Sequence, residues 1–152
     1  MEIVRVTKFL FVSCLVVVLS GCASSGRIGV LPSIAPGKDI SKLVVYRVSS
    51  IVGSTNSYYV NLDGKDIFSI RSGEFTRLSI EAGEHNVGTK CFGGFSPTWK
   101  EDAVQFTAMP NTESFFEISP NLSCAEIKAV SVEEGKKQID NSSFINPEQM
   151  SK

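Results

Sequence analysis

The chain has 152 residues, a formal net charge of −1, 42% hydrophobic and 20% charged side chains, which is enough for one domain with a modest core. So balanced a charge argues against a nucleic-acid partner, which needs a basic face to displace counterions from phosphates. It also argues against strong electrostatic attachment to anionic lipid.

Arg5 and Lys8 precede an apolar run from Phe9 to Leu19, and Leu19-Ser20-Gly21-Cys22 closes it. A positive segment, an apolar segment and small residues before a cysteine form the layout of a secretory signal. The rival reading is a transmembrane helix, but Phe9 to Leu19 falls well short of the roughly 20 apolar residues needed to cross a bilayer. Gly21 and the polar stretch from Ala23 to Arg27 also stop the run where a span would continue. The small-small-Cys ending resembles the lipobox of bacterial lipoproteins. That resemblance implies removal of residues 1–21, a diacylglycerol on the Cys22 sulfur and an acyl group on its new amino terminus. At about 0.8 kcal/mol per buried methylene, two or more chains hold a protein stably on a membrane. Ala23 stands where enteric-type lipoproteins retained at the inner membrane carry Asp, which implies an outer-membrane protein facing the periplasm. Loss of Arg5, Lys8 and Glu2 would leave 13 basic and 15 acidic side chains.

Residues 22–41 are rich in Gly, Ser and Pro, without sustained periodicity, and read as a flexible tether with a reach of roughly 25 Å. Residues 42–133 carry most of the apolar positions and read as the folded domain. Leu43-Val-Val-Tyr-Arg-Val48 is β-branched and aromatic, a strand signal, and Ser49 to Ser57 is a loop. Tyr58 to Leu62 alternates, and Asp63-Gly64 then predicts a type I′ hairpin. The return strand runs from Lys65 to Ile70, where the clash of face between Ile67 and Phe68 predicts a bulge. Ser72-Gly73 and Glu81-Ala-Gly-Glu84 mark further turns around a strand from Glu74 to Ile80, followed by a strand from His85 to Phe92. Phe95 to Lys100 reads as a loop carrying Pro97 and Trp99. Val104 and Phe106 share one face of the strand Ala103–Ala108, and strands follow over Glu113–Ile118 and Cys124–Val132. About eight short strands with turn chemistry between them predict an all-β fold, a single antiparallel β-sandwich. Val132 to Ile139 is the one candidate helix, and the polar tail within 134–152 is expected to be disordered or loosely docked.

Tyr59-Val-Asn-Leu-Asp-Gly-Lys65, Arg71-Ser-Gly73, Phe75, Leu78-Ser-Ile80 and Ala82-Gly-Glu-His-Asn-Val87 resemble the V-x-x-D-G-K … G … L-x-x-G-x-H-x-V pattern of PEGA-type β-domains. With the V-V-Y-R strand before it and a lipobox upstream, residues 42–133 are similar to a lipoprotein family of unknown function. Ala82-Gly83 departs from the usual Pro-Gly. The pattern is one of turns and implies a fold, not an activity.

Cys14 leaves with the signal and Cys22 takes lipid, so Cys91 and Cys124 are expected to pair in an oxidising compartment. His85 is the chain's single histidine. It could act as a base or metal ligand, but it reads more simply as a residue opening a strand. One His and two distant cysteines do not supply a zinc set. Asp63 is explained by its turn, Glu81 and Glu84 by solvated turn flanks, and Gly93-Gly94 by a strand break rather than a phosphate loop. There is no nucleophile elbow, and no catalytic set, metal or cofactor is expected. Phe95, Trp99 and Lys100 form the candidate contact loop, though the aromatics could equally cap one end of the core. The chain is therefore expected to be an outer-membrane-anchored, non-catalytic binding or structural module. Its partners would be the membrane, through the N-terminal lipid, and an envelope protein or the cell wall. The alternative is a periplasmic inhibitor or ligand-binding domain that inserts the Phe95–Trp99 loop.

Overall fold

A computed structural model describes residues 25–93 and 98–148, so the predicted signal segment, Cys22 and Phe95 lie outside the described residues. Ten strands and one helix occur among these residues: β1 Gly26–Arg27, β2 Ile40–Arg47, β3 Tyr58–Leu62, β4 Lys65–Ile70, β5 Glu74–Glu81, β6 Gly83–Gly93, β7 Thr98–Ala108, β8 Glu113–Pro120, β9 Ala125–Val130, α1 Val132–Ile139 and β10 Ser143–Phe144. They form two five-stranded sheets, ordered β1-β4-β3-β6-β7 and β10-β5-β2-β8-β9. The sheets face each other across a core that includes Leu43, Val45, Phe116 and Ile118 on one side and Val60, Phe68 and Val87 on the other. This is the predicted all-β sandwich.

The first hairpin forms as its sequence dictates. Asp63 and Gly64 both take positive φ, 52° and 75°, as a type I′ turn requires. The β3–β4 register slips between Val60 and Asn61, so Ile67 is skipped. The extra residue allows Ile67 and Phe68 both to be buried where strict alternation would expose one of them.

The second sheet is mixed, which corrects the expectation of purely antiparallel pairing. β2 pairs with β8 in parallel, and β10 pairs with β5 in parallel. Parallel neighbours need a long crossover, and here β3, β4, β6 and β7 of the first sheet, with β5 of the second, supply it. After β7 the Pro110-Asn111 turn, with Asn111 at φ 56°, delivers the chain to the foot of β2. There Asn111 N–H donates to the Ile40 carbonyl at 2.7 Å, and Lys42 N–H donates to the Thr112 carbonyl at 2.9 Å. β8 then has to run upward beside β2.

β2 is buried on both faces, with Leu43 through Arg47 wholly inaccessible. Its uninterrupted apolar run is the signature of a doubly covered strand. The second cover is α1, whose Ser131 cap accepts the Glu134 N–H at 3.2 Å, with Glu133 and Glu134 in the first turn and Lys136 and Lys137 in the last. Gly135 lies flat on Phe115, where a Cβ would stand 2.3 Å from the ring. Gly135→Ala is therefore expected to destabilise the protein by about 1–3 kcal/mol through overpacking, although Ala favours a helix by about 1 kcal/mol over Gly. Urea unfolding decides the sign; a variant as stable as wild type would show that α1 can ride outward at no cost.

The described parts of both flanking segments, residues 25–41 and 134–148, are tied to the sandwich, where a flexible tether and a disordered or loosely docked tail were expected. Within the predicted tether β1 lies on the edge of β4, and Ile28 and Gly29 N–H both donate to the Ile67 carbonyl. A side chain at Gly29 would meet the Asp66 carbonyl oxygen. Leu31 packs on the core, and Ala35 N–H reaches Glu81. The segment straps the open side between β4 and β5. In the tail, Ser143 N–H donates to the Gly73 carbonyl and Ile145 N–H to the Phe75 carbonyl, and the Ile145 carbonyl accepts from the Thr76 hydroxyl. This seats the Ile145 side chain in the core.

Candidate functional site

β2 rises from Ile40 to Arg47, which gives the sandwich two distinguishable ends. At the lower end, the 63–64 and 82–83 turns and the strap enclose a cleft of about 340 Å³. Leu31, Leu62, Ile67 and Ile80 line it, and Asp63, Lys65, Glu81 and His85 rim it. His85 Nδ1 lies 2.8 Å from the Asp63 carboxylate, and Nε2 lies 2.9 Å from the Glu81 carbonyl. Both partners accept, so a protonated ring satisfies both contacts at once. Burial pulls its pKa down, but the hydrogen bonds from Asp63 and Glu81 outweigh it and the net shift is upward. In this arrangement both ring nitrogens are engaged, one by Asp63 and one by Glu81. The work of the His85–Asp63 pair is structural: Asp63 also accepts the Asn86 N–H at 2.9 Å, which pins the hairpin turn to β6.

A raised folded-state pKa fixes the sign of the pH dependence. The stability His85 contributes is fully present below its unfolded value of about 6.5 and is lost as pH rises through the higher folded value. The difference in Tm between wild type and His85→Gln is accordingly expected to be largest in mild acid and to shrink in mild alkali. A difference that does not change with pH would contradict the raised folded-state pKa of His85.

At the upper end three loops meet. Arg47, wholly buried at the top of β2, donates through its two terminal nitrogens to the Asn56 and Gly53 carbonyls, both at 2.5 Å. Its guanidinium stacks 3.9 Å from the centre of the Tyr58 ring. Burial pulls its pKa down, Tyr58 and Glu74 pull it up, and the net shift is downward; a guanidinium remains charged near neutrality regardless. This clamp fixes the loop that exposes Ile51 and Val52. Beside it the Cys91–Cys124 disulfide joins β6 to the residue before β9, with Cα atoms 5.9 Å apart, as the cysteine count predicts. Asn121 Oδ1 accepts the Ser123 and Cys124 N–H groups and shapes the loop that exposes Leu122. A depression of about 150 Å³ lies between the loops, lined by Val52, Tyr58, Phe92, Pro120 and Cys124 among others.

Trp99 and Lys100 do not lie on a loop. β7 begins at Thr98, and Trp99 pairs with Phe92 and Lys100 with Cys91. The register with β6 holds from Gly83↔Ala108 to Gly93↔Thr98, so cross-strand pairing overrides the polar, turn-like composition. Trp99 is supported by Tyr59, with ring centres 5.3 Å apart, and by Phe92 at 5.6 Å. Lys90 bridges the Trp99 ring and Asp66, 2.6 Å from the carboxylate. Trp99 and Phe92 are nevertheless more than half exposed, so they do not close off the end of the core.

A further polar cluster lies on the helix-side face of the second sheet. Glu117 accepts from Tyr46, Ser119 and Lys128. Burial pushes its pKa up, but these three donors outweigh it and hold the carboxyl below its usual range. Burial and Glu117 push the Tyr46 phenol well above its own. The carboxylate is saturated with donors and serves to fix β8, β2 and β9. Among the described residues, no group of three His, Cys, Asp or Glu side chains is placed to hold a metal ion, and no helix is long and apolar enough to cross a membrane.

Sequence reasoning missed Arg47 and the exposed trio Ile51, Val52 and Leu122. Arg47 could have been noticed as a charge ending an unbroken apolar run. No protein-family model matches the chain, and neither a curated protein nor a solved structure matches it.

Proposed function

We propose that this chain is a lipid-anchored protein of the bacterial cell envelope, held at the outer membrane through Cys22. Its PEGA-like β-sandwich binds or braces another envelope component without catalysis. The observation that carries the reading is the Cys91–Cys124 crosslink between the two sheets, because such bonds persist in exported, oxidising compartments. The lipobox supplies the anchor, and Ala23 favours the outer membrane. The residues of the PEGA-like pattern support the kinship, since Asp63-Gly64 forms its hairpin turn and His85 ties that turn to the next strand.

Cell fractionation tests the reading. Wild type is expected with the membranes and Cys22→Ala in the soluble periplasmic fraction; equal partition of the two would overturn it. Crosslinking in intact cells then identifies the partner. Capture of an envelope protein or wall fragment supports the brace, whereas one soluble partner lost in Trp99→Ala would favour the inhibitor.

A further inference from the structure

The described chain begins at the upper end of the sandwich. β1 is antiparallel to β4, with Gly26 opposite Ser69 near the top of that strand. Ser25 donates to Glu74, at the top of β5, at 2.9 Å. Four peptide links separate Gly26 from Cys22 and span at most about 14 Å. A lipid on Cys22 therefore holds the upper end, not the lower, against the bilayer.

That end carries an unusual surface. Ile51 is 95% exposed, Leu122 82%, Val52 67%, Phe92 59% and Trp99 54%. Residues 48–57 and 119–124, which form two of its loops, contain no charged side chain at all. The lower end also exposes apolar residues, Val30, Ile40 and Met109, but Val30 shares its cleft with Asp63, Lys65 and Glu81, and Ile40 lies opposite Glu81. Two charge-free loops with Trp99 beside them, flanked by Arg71 and Glu74 on the neighbouring turn and by Lys90 at the Trp99 ring, match the boundary between lipid headgroups and acyl chains, where Trp and Tyr concentrate. The Arg47 clamp and the disulfide hold the loops in place, so little ordering entropy opposes docking.

We propose that the upper end is a membrane-docking face: Ile51, Val52, Leu122, Phe92 and Trp99 sit in the lipid interface and stand the sandwich upright on the bilayer. The proposal rests on the Cys22 anchor. β1 and β7 are opposite edges of one sheet, four strand spacings or about 19 Å apart. The acyl chains at one edge and the rings at the other thus fix the tilt of the domain, which a single anchor cannot do. Docking is uncharged, in keeping with the near-neutral chain, and is therefore insensitive to salt.

Trp99 is the only tryptophan, so its fluorescence reports this face alone. The full protein, purified from membranes, is reconstituted into phosphatidylethanolamine–phosphatidylglycerol vesicles with or without acyl-brominated lipid. The proposal predicts a blue-shifted emission that is quenched by brominated lipid, since Trp99 would sit at the headgroup level. It predicts much weaker quenching in the triple variant Ile51→Ser, Val52→Ser, Leu122→Ser, whose exposed positions leave the melting curve unchanged. Intact mass of the same sample reports the lipid independently. A lipidated protein whose Trp99 ignores brominated lipid and stays open to aqueous quencher overturns the docking face and leaves the anchor standing; the surface would then be open to a protein partner. An unlipidated chain overturns the anchor and, with it, the upright orientation.

Discussion

Arg47→Ala is expected to cost about 2–5 kcal/mol of folding stability, among the largest losses any single substitution in this chain would produce. The side chain is wholly inaccessible and supplies the donors for two loop carbonyls. Truncation takes the side-chain donor from the Asn56 carbonyl and one of two donors from the Gly53 carbonyl, which keeps the Asn56 N–H, removes the stacking on Tyr58 and opens a cavity at the top of the core. Arg47→Lys is no rescue, because one ammonium cannot reproduce the planar fork that reaches both Gly53 and Asn56 while lying on a ring. Arg47→Met separates the contributions. It fills much of the volume and leaves no buried charge, so it is expected to retain more stability than Ala while still freeing the loop. Urea unfolding gives the first quantity. Hydrogen exchange at the Ser54 and Asn56 amides, which bond to the Ile51 and Gly53 carbonyls, gives the second. Wild-type exchange at these amides in Arg47→Ala would show that the loop holds itself.

Removing the crosslink with Cys91→Ala and Cys124→Ala together is the second large effect. The bond closes a separation of 33 residues, for which chain entropy gives about 3–4 kcal/mol within an observed range of about 2–5 kcal/mol. The loss is expected mainly through the unfolded state, so the slope of the urea transition should change along with its midpoint. The lower part of the same edge keeps an independent tie, since Asp102 on β7 accepts the Ile127 N–H of β9 at 2.8 Å. The two sheets should therefore stay together below while the 121–124 loop loosens above. The check is unfolding of wild type with and without reductant beside the double variant. A midpoint unmoved by reductant would contradict the account.

Local chemistry was legible in the sequence and nonlocal pairing was not. Asp63-Gly64 announced its turn, because only a few residue types tolerate positive φ at both positions. The conflict of face between Ile67 and Phe68 announced the bulge. Cysteine counting found the disulfide, and the Ser131 cap and acidic first turn agree with the one helix placed at Val132–Ile139.

The parallel β2–β8 pair could not be read this way, since nothing in Glu113–Pro120 says which edge it will join. The strap at 26–35 reads as linker because its attachment is mostly backbone hydrogen bonding, which leaves little trace in composition. Only Gly29, against the Asp66 carbonyl, and Leu31 betray it. The tail misled in the same way, because one residue, Ile145, carries the docking of an otherwise polar stretch. For the docking face, absence of charge in residues 48–57 and 119–124 was visible in the sequence, but their convergence with the Trp99 edge and the start of β1 is a property of the topology.

The central claim is a lipid on Cys22, and the intact mass of the protein isolated from membranes tests it most directly. The account predicts a chain that starts at Cys22 and carries the added mass of a diacylglycerol and one further acyl group. A chain that still begins at Met1, or one that has an unmodified Cys22, would contradict it.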